Sequence, residues 1–145
     1  MIDQTKHSIE IIRKESVDSL RNSQTNNQYI LPSDYFYFLI TYGKIRFIKT
    51  PEFTHNNDRF GFYEFYDLEN CEWQIRDRRI NMVDHPNSYW SDEYICIGQL
   101  DDKKLLIGVK NENINKIYLF DNEETYIENL SINLFEFIND KLIYR

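Results

Sequence analysis

Residues 31–43, reading Leu-Pro-Ser-Asp-Tyr-Phe-Tyr-Phe-Leu-Ile-Thr-Tyr-Gly, constrain the fold of this chain more than any other stretch. Pro32 suits a first helical turn, where the N–H it lacks would have no partner, and Asp34 places a carboxylate at the positive end of the helix dipole. Tyr35, Phe38, Leu39 and Tyr42 then recur at i, i+3, i+4 and i+7, which turns one aromatic-rich stripe toward a core. Gly43 supplies the stop, since glycine adopts the left-handed conformation that ends helices at least cost. A helix carrying so broad an aromatic face requires a large apolar partner, and the rest of the chain has to provide it.

Upstream, Ile9, Ile12, Val17 and Leu20 have approximately helical spacing, and residues 22–28 are polar, so an N-terminal helix followed by a loop is expected. Downstream, residues 44–49 and 60–66 are short and rich in aromatic and β-branched side chains. They read as strands around the polar loop His55-Asn56-Asn57-Asp58. Asp67 is positioned to cap a helix on which Leu68, Cys71, Ile75 and Met82 share a face, with Glu69, Glu72, Arg76 and Arg79 elsewhere and residues 85–88 ending it. Three apolar runs at residues 94–97, 105–109 and 116–120 are joined by connections too short for crossover helices, so they predict an antiparallel meander. Leu134, Phe135, Ile138 and Leu142 predict a C-terminal amphipathic helix capped by Ser131 or Asn133. The fold class expected is α+β: a mostly antiparallel sheet with N-terminal helices, a mid-chain helix and a C-terminal helix packed around it. No repeat, low-complexity tract or Pro/Gly-rich linker divides residues 1–145, which read as a single domain.

Composition narrows the function classes. Seventeen Lys and Arg against 24 Asp and Glu give a net charge of −7, and the pI is near 4.9. That balance opposes direct binding to nucleic acid or an anionic membrane and favours a basic protein partner. No apolar run approaches the length of a membrane span, the mean hydropathy is −0.63, and residues 1–15 lack the apolar centre of a secretory signal, so a cytoplasmic location is expected. Cys71 and Cys96 are far apart and have no neighbouring ligand, which predicts two reduced, buried thiols.

With this layout, the sequence resembles the SUKH superfamily, the group named after yeast cell-wall-synthesis regulators and expanded by bacterial immunity proteins. One block carrying the likeness is Leu31-Pro32, then Asp34-Tyr35, Phe38-Leu39 and Tyr42-Gly43. The other is Ile95-Cys96-Ile97-Gly98, residues 105–109, Lys116-Ile117-Tyr118-Leu119-Phe120-Asp121 and Phe135-Glu136-Phe137-Ile138. The chain departs from the family pattern where Gly43 is followed by Lys44 rather than a second glycine, and where Asp101-Asp102-Lys103-Lys104 replaces a usual glycine. The resemblance implies an α+β fold and a role as an immunity protein that neutralises a cognate toxin, for example a nuclease. Its eukaryotic relatives imply an alternative role as a regulatory interaction scaffold.

No P-loop, nucleophile elbow or His-Glu-x-x-His helix is present, so neither catalysis nor a cofactor or metal is expected. His55-Asn56-Asn57-Asp58 reads as a solvated loop rather than a metal site, and Asp84-His85 as a helix end rather than an oriented imidazole. The residues expected to contact a partner are carboxylates near turns together with one amphipathic aromatic: Asp67, Glu69, Trp90, Asp92, Glu93, Asp101, Asp102, Glu123 and Glu124. Tryptophan is enriched at binding hot spots, and rim carboxylates steer a basic partner. A third reading, a small-ligand or hydrolytic pocket, requires side chains that only the fold can gather.

Overall fold

The computed structural model describes residues 1–144. In chain order its elements are β1 (Ile9–Arg13), α1 (Val17–Asn27), α2 (Ser33–Thr41), β2 (Lys44–Phe47), β3 (Glu52–His55), β4 (Asp58–Phe65), α3 (Leu68–Asn81), β5 (Tyr94–Leu100), β6 (Lys103–Gly108), β7 (Lys116–Asp121), β8 (Tyr126–Asn133), α4 (Leu134–Glu136) and β9 (Leu142–Ile143). Strands β1 and β2 pair antiparallel as a separate ribbon. The other strands form one antiparallel sheet in the order β8-β7-β6-β5-β4-β3-β9. This is the expected α+β architecture with a mostly antiparallel sheet.

Helix α2 forms as its sequence dictates, with Tyr35, Phe38 and Leu39 fully buried. Pro32 is the N-cap and offers no side-chain hydrogen bond. A distant residue substitutes: Asn115 Oδ1 accepts from the Asp34 N–H at 3.0 Å, and Asn115 Nδ2 donates to Ser33 Oγ at 2.9 Å. At the other end Gly43 has φ +63°, and its N–H reaches the Phe38 carbonyl at 3.0 Å. A Cβ on Gly43 would lie 2.0 Å from the Arg13 carbonyl oxygen, so both the left-handed backbone and the close approach of β1 require glycine here.

The aromatic stripe of α2 packs onto a cluster drawn from the sheet and the C-terminal segment. Phe38 meets Phe65 at 5.3 Å between ring centroids, Phe65 meets Phe62 at 4.6 Å, and Phe53 meets Phe137 at 5.1 Å. Against the same core, Leu68, Cys71 and Ile75 of α3 are buried as the helical periodicity predicts, whereas Met82 lies beyond the helix and is half-buried. Asp67 caps α3, its Oδ1 accepting from the Asn70 N–H at 2.9 Å.

Several expectations are corrected. The N-terminal apolar set is split: Ile9 and Ile12 lie in β1, and the helix begins only at Val17, where Ser16 caps it through the Ser19 N–H. Residues 22–27, expected as loop, continue α1, because Leu20 and Ser23 are held against the body of the protein and packing overrides polar composition. Strand β3 escapes the sequence reading because it is only four residues long. It ends in a tight hairpin in which Asn56 and Asn57 both have positive φ, the conformation asparagine tolerates best after glycine. Strand β8 escapes as well: a bulge with Ser131 at φ +59° breaks its alternation. The expected C-terminal helix is one short turn, α4, with an Asn133/Glu136 capping box. A π-type turn over Phe137–Lys141 follows, and Leu142 leaves the helix to pair with Phe53 of β3.

The two cysteines are buried and unpaired. Burial pushes the Cys96 thiol up to about 12 and the Cys71 thiol higher still, so neither is a thiolate at neutral pH. His7 is buried at 1% exposure, with Nδ1 2.8 Å from the Tyr144 hydroxyl, and so ties the N-terminal segment to the C-terminal one. Burial holds its imidazole below the ordinary value of 6.5, against the opposing pull of the Ile138 backbone.

Two outcomes follow. Gly43→Ala lowers the unfolding free energy by at least about 2 kcal/mol through left-handed strain and the clash with Arg13, read as a lower urea midpoint with unchanged m. The unfolded chain protonates His7 near pH 6.5 whereas the folded chain resists it, so stability declines as pH falls through that value. The loss between pH 7.5 and 5.5 in denaturant titrations is smaller in His7→Phe, which has no imidazole to charge.

Candidate partner-binding surface

Antiparallel connectivity brings three hairpin turns to one end of the large sheet. Phe62 of β4 lies opposite Leu100 of β5, and Lys103 of β6 lies opposite Asp121 of β7. The turns at residues 56–57, 101–102 and 122–125 therefore emerge together. The β3–β4 hairpin projects furthest and bends across this end, where His55 Nε2 meets Glu128 Oε1 of β8 at 2.7 Å. That contact joins the first and sixth strands of the sheet order, so the sheet is strongly curled.

The rim made by these turns is acidic. Among the described residues of these turns and the strand ends beside them, it carries Asp58, Asp101, Asp102, Asp121, Glu123 and Glu124 against Arg59, Lys103 and Lys104 as cations. Two of the carboxylates also hold the rim together. Asp101 Oδ2 accepts from the Gly61 N–H at 2.6 Å, and its hydrogen bond with the Tyr63 phenol raises that phenol's pKa. Asp121 receives Lys103 Nζ at 2.9 Å and the Glu123 N–H at 2.9 Å. The lysine's hydrogen bond, with those of the turn amides, lowers its pKa. Asp102, Glu123 and Glu124 are left exposed to solvent.

The structure thus divides the residues expected at a partner surface. Asp101, Asp102, Glu123 and Glu124 come together on the rim. Glu69 is exposed in the first turn of α3, while Asp92 and Glu93 are exposed just before β5, at the opposite end of that strand from the rim. The other two residues are corrected. Asp67 is 3% exposed; its carboxylate is spent on the α3 cap and on Arg13 Nη2 at 3.1 Å. Trp90, expected in an exposed loop, is 4% exposed, its ring edge-on to Phe120 at 5.3 Å. Its carbonyl accepts from Arg78 Nε at 2.5 Å, and Arg78 Nη1 also binds Asp92 Oδ1 at 2.8 Å, which anchors the whole turn segment before β5.

The tryptophan that does face solvent is Trp73 on α3, at 55% exposure. Its position was legible: it falls off the face shared by Leu68, Cys71 and Ile75. Among the described residues no helix is long and apolar enough to cross a membrane, and no group of three or more His, Cys, Asp or Glu side chains is placed to hold a metal ion.

Comparison with known proteins agrees with the fold. No curated protein matches the chain. The model of the SMI1 / KNR4 family (SUKH-1) matches residues 16–140, which take in every element from α1 to α4. A match over that share of the sequence, on a curled antiparallel sheet with the Leu-Pro helix against it, places the chain in the SMI1 / KNR4 family (SUKH-1).

Proposed function

We propose that this protein is a cytoplasmic immunity protein, which binds a cognate protein toxin and neutralises it by occlusion without chemistry of its own. The observation that carries the reading is the acidic hairpin rim, in a family that includes toxin immunity proteins. A toxin that acts on nucleic acid must hold phosphates with a basic surface, and a rim of exposed carboxylates on a rigid hairpin scaffold is complementary to such a surface. Asp102, Glu123 and Glu124 are the residues of the rim free to meet it; Asp101 and Asp121 set the turn geometry that presents them. The net charge of −7 adds long-range attraction that accelerates encounter and weakens with salt.

The test is binding between the chain and the toxin encoded beside its gene, measured by surface-immobilised kinetics across ionic strength. Reversal of Asp102, Glu123 and Glu124 to Lys slows association by at least about tenfold and flattens the salt dependence, while stability stays within about 0.5 kcal/mol because the sites are exposed. An unchanged association rate in the folded triple variant would falsify the rim as the docking surface, and no complex at low ionic strength would defeat the immunity reading.

A further inference from the structure

At the end of the sheet remote from the acidic rim, a cleft of about 450 Å³ opens between the α1–α2 connection, the C-terminal half of α3 and the beginning of β5. Its floor is apolar and buried, formed by Ile75, Trp90, Ile95 and Cys96. Tyr29, Ile30 and Val109 form its walls, and Ile30 is 73% exposed there. A volume of this size falls within the range of small-molecule sites.

The charge lining this cleft opposes that of the chain as a whole. Arg78, Arg79 and Lys110 line it against a single carboxylate, Asp92, which Arg78 already engages at 2.8 Å. Among the described residues neither Arg79 nor Lys110 has a carboxylate partner. Arg79 uses two of its donors on the Asn27 and Gln28 carbonyls at the end of α1, which fixes its guanidinium and leaves the remaining N–H groups free. Strand β5, from Tyr94 at the cleft to Leu100 at the rim, separates the two ends by roughly 20 Å at the usual rise per residue. That exceeds the Debye length of about 8 Å at physiological salt, so the rim carboxylates are screened here, and the charges an incoming group meets are Arg79 and Lys110, the Arg78–Asp92 pair and the neighbouring Glu93.

We propose that this cleft binds a small amphipathic anion, a carboxylate or phosphate on an apolar body, with the anionic group between Arg79 and Lys110 and the body against Tyr29, Ile30 and Val109. The site is independent of the rim and does not rest on the immunity reading. A guanidinium held in place by the end of α1, with a second cation beside it and an exposed apolar wall, discriminates such a ligand from two nearer alternatives. A neutral apolar molecule leaves the cations without a partner, and an inorganic anion leaves the wall in water.

The experiment is an amide-resolved NMR titration of the full chain with naphthoate, naphthyl phosphate and the neutral naphthylmethanol, which share one ring system. Saturable shifts are expected at the amides of Ile30, Val109 and Lys110, with one or both anions binding at least about tenfold more tightly than the neutral probe; which anion binds more tightly identifies the head group. Lys110→Glu, an exposed substitution, weakens the anions at least about tenfold and leaves the neutral probe unchanged, while Lys44→Glu on the separate ribbon changes neither. The proposal is overturned if no anion binds, if the neutral probe binds as tightly as the anions, if the shifts map outside the cleft, or if Lys110→Glu has no effect.

Discussion

The packing of α2 against the phenylalanines of β4 is the contact on which the remaining architecture depends. Phe38 reaches Phe65, Phe65 reaches Phe62, and both sheet residues touch Phe137 of the C-terminal turn at 6.3 Å. Each buried ring contributes roughly 1.5–3 kcal/mol from area alone, and tilted or edge-to-face pairs add about 0.5–1.5 kcal/mol. The cluster also does topological work. It joins a helix from the first third of the chain, a central strand and the C-terminal segment, and so places Leu142 beside Phe53 and closes the sheet with β9.

Given that core, the two ends of the large sheet acquire opposite character for a geometric reason. Sequential antiparallel strands deliver every second connection to the same end. The tight turns between β3 and β4, β5 and β6, and β7 and β8 are short, with Asp58, Asp101, Asp102, Glu123 and Glu124 in or beside them; the opposite end receives the longer connections and the C-terminus of α3, with its arginines. A chain with a net charge of −7 thus presents an acidic hairpin rim at one end of the sheet and a cleft lined by Arg78, Arg79 and Lys110 at the other.

Charged residues inside the fold serve construction. Asp67 and Arg78, at 3% and 7% exposure, stand at opposite ends of α3: the first caps the helix and binds Arg13, the second ties down the segment leading into β5. Both satisfy the rule that a buried charge needs a partner and hydrogen bonds, since an isolated one would cost several kcal/mol. The anchoring of Trp90 by the same segment explains how a tryptophan in a stretch rich in turn residues comes to be a core residue.

What was legible in the sequence was local. The α2 stripe, the Gly43 stop, the Asp67 cap and the three-stranded meander each follow from periodicity or from the conformational demands of single residues, which act over a few positions. The exposure of Asp102, Glu123 and Glu124 follows in the same way from their place in turns. Tertiary structure decided the rest. It turned Ile9 and Ile12 into strand because β2 pairs with them, extended α1 through polar residues because the body of the protein holds Ser23 and Leu20, and drew Leu142 off a helix to meet β3. It also buried Asp67 and Trp90 and gathered Arg79 and Lys110 into one cleft. The physical reason is the same throughout: strand pairing, burial and the meeting of charges from distant segments depend on which surfaces come together, and that is settled by the whole chain at once rather than by any window of it.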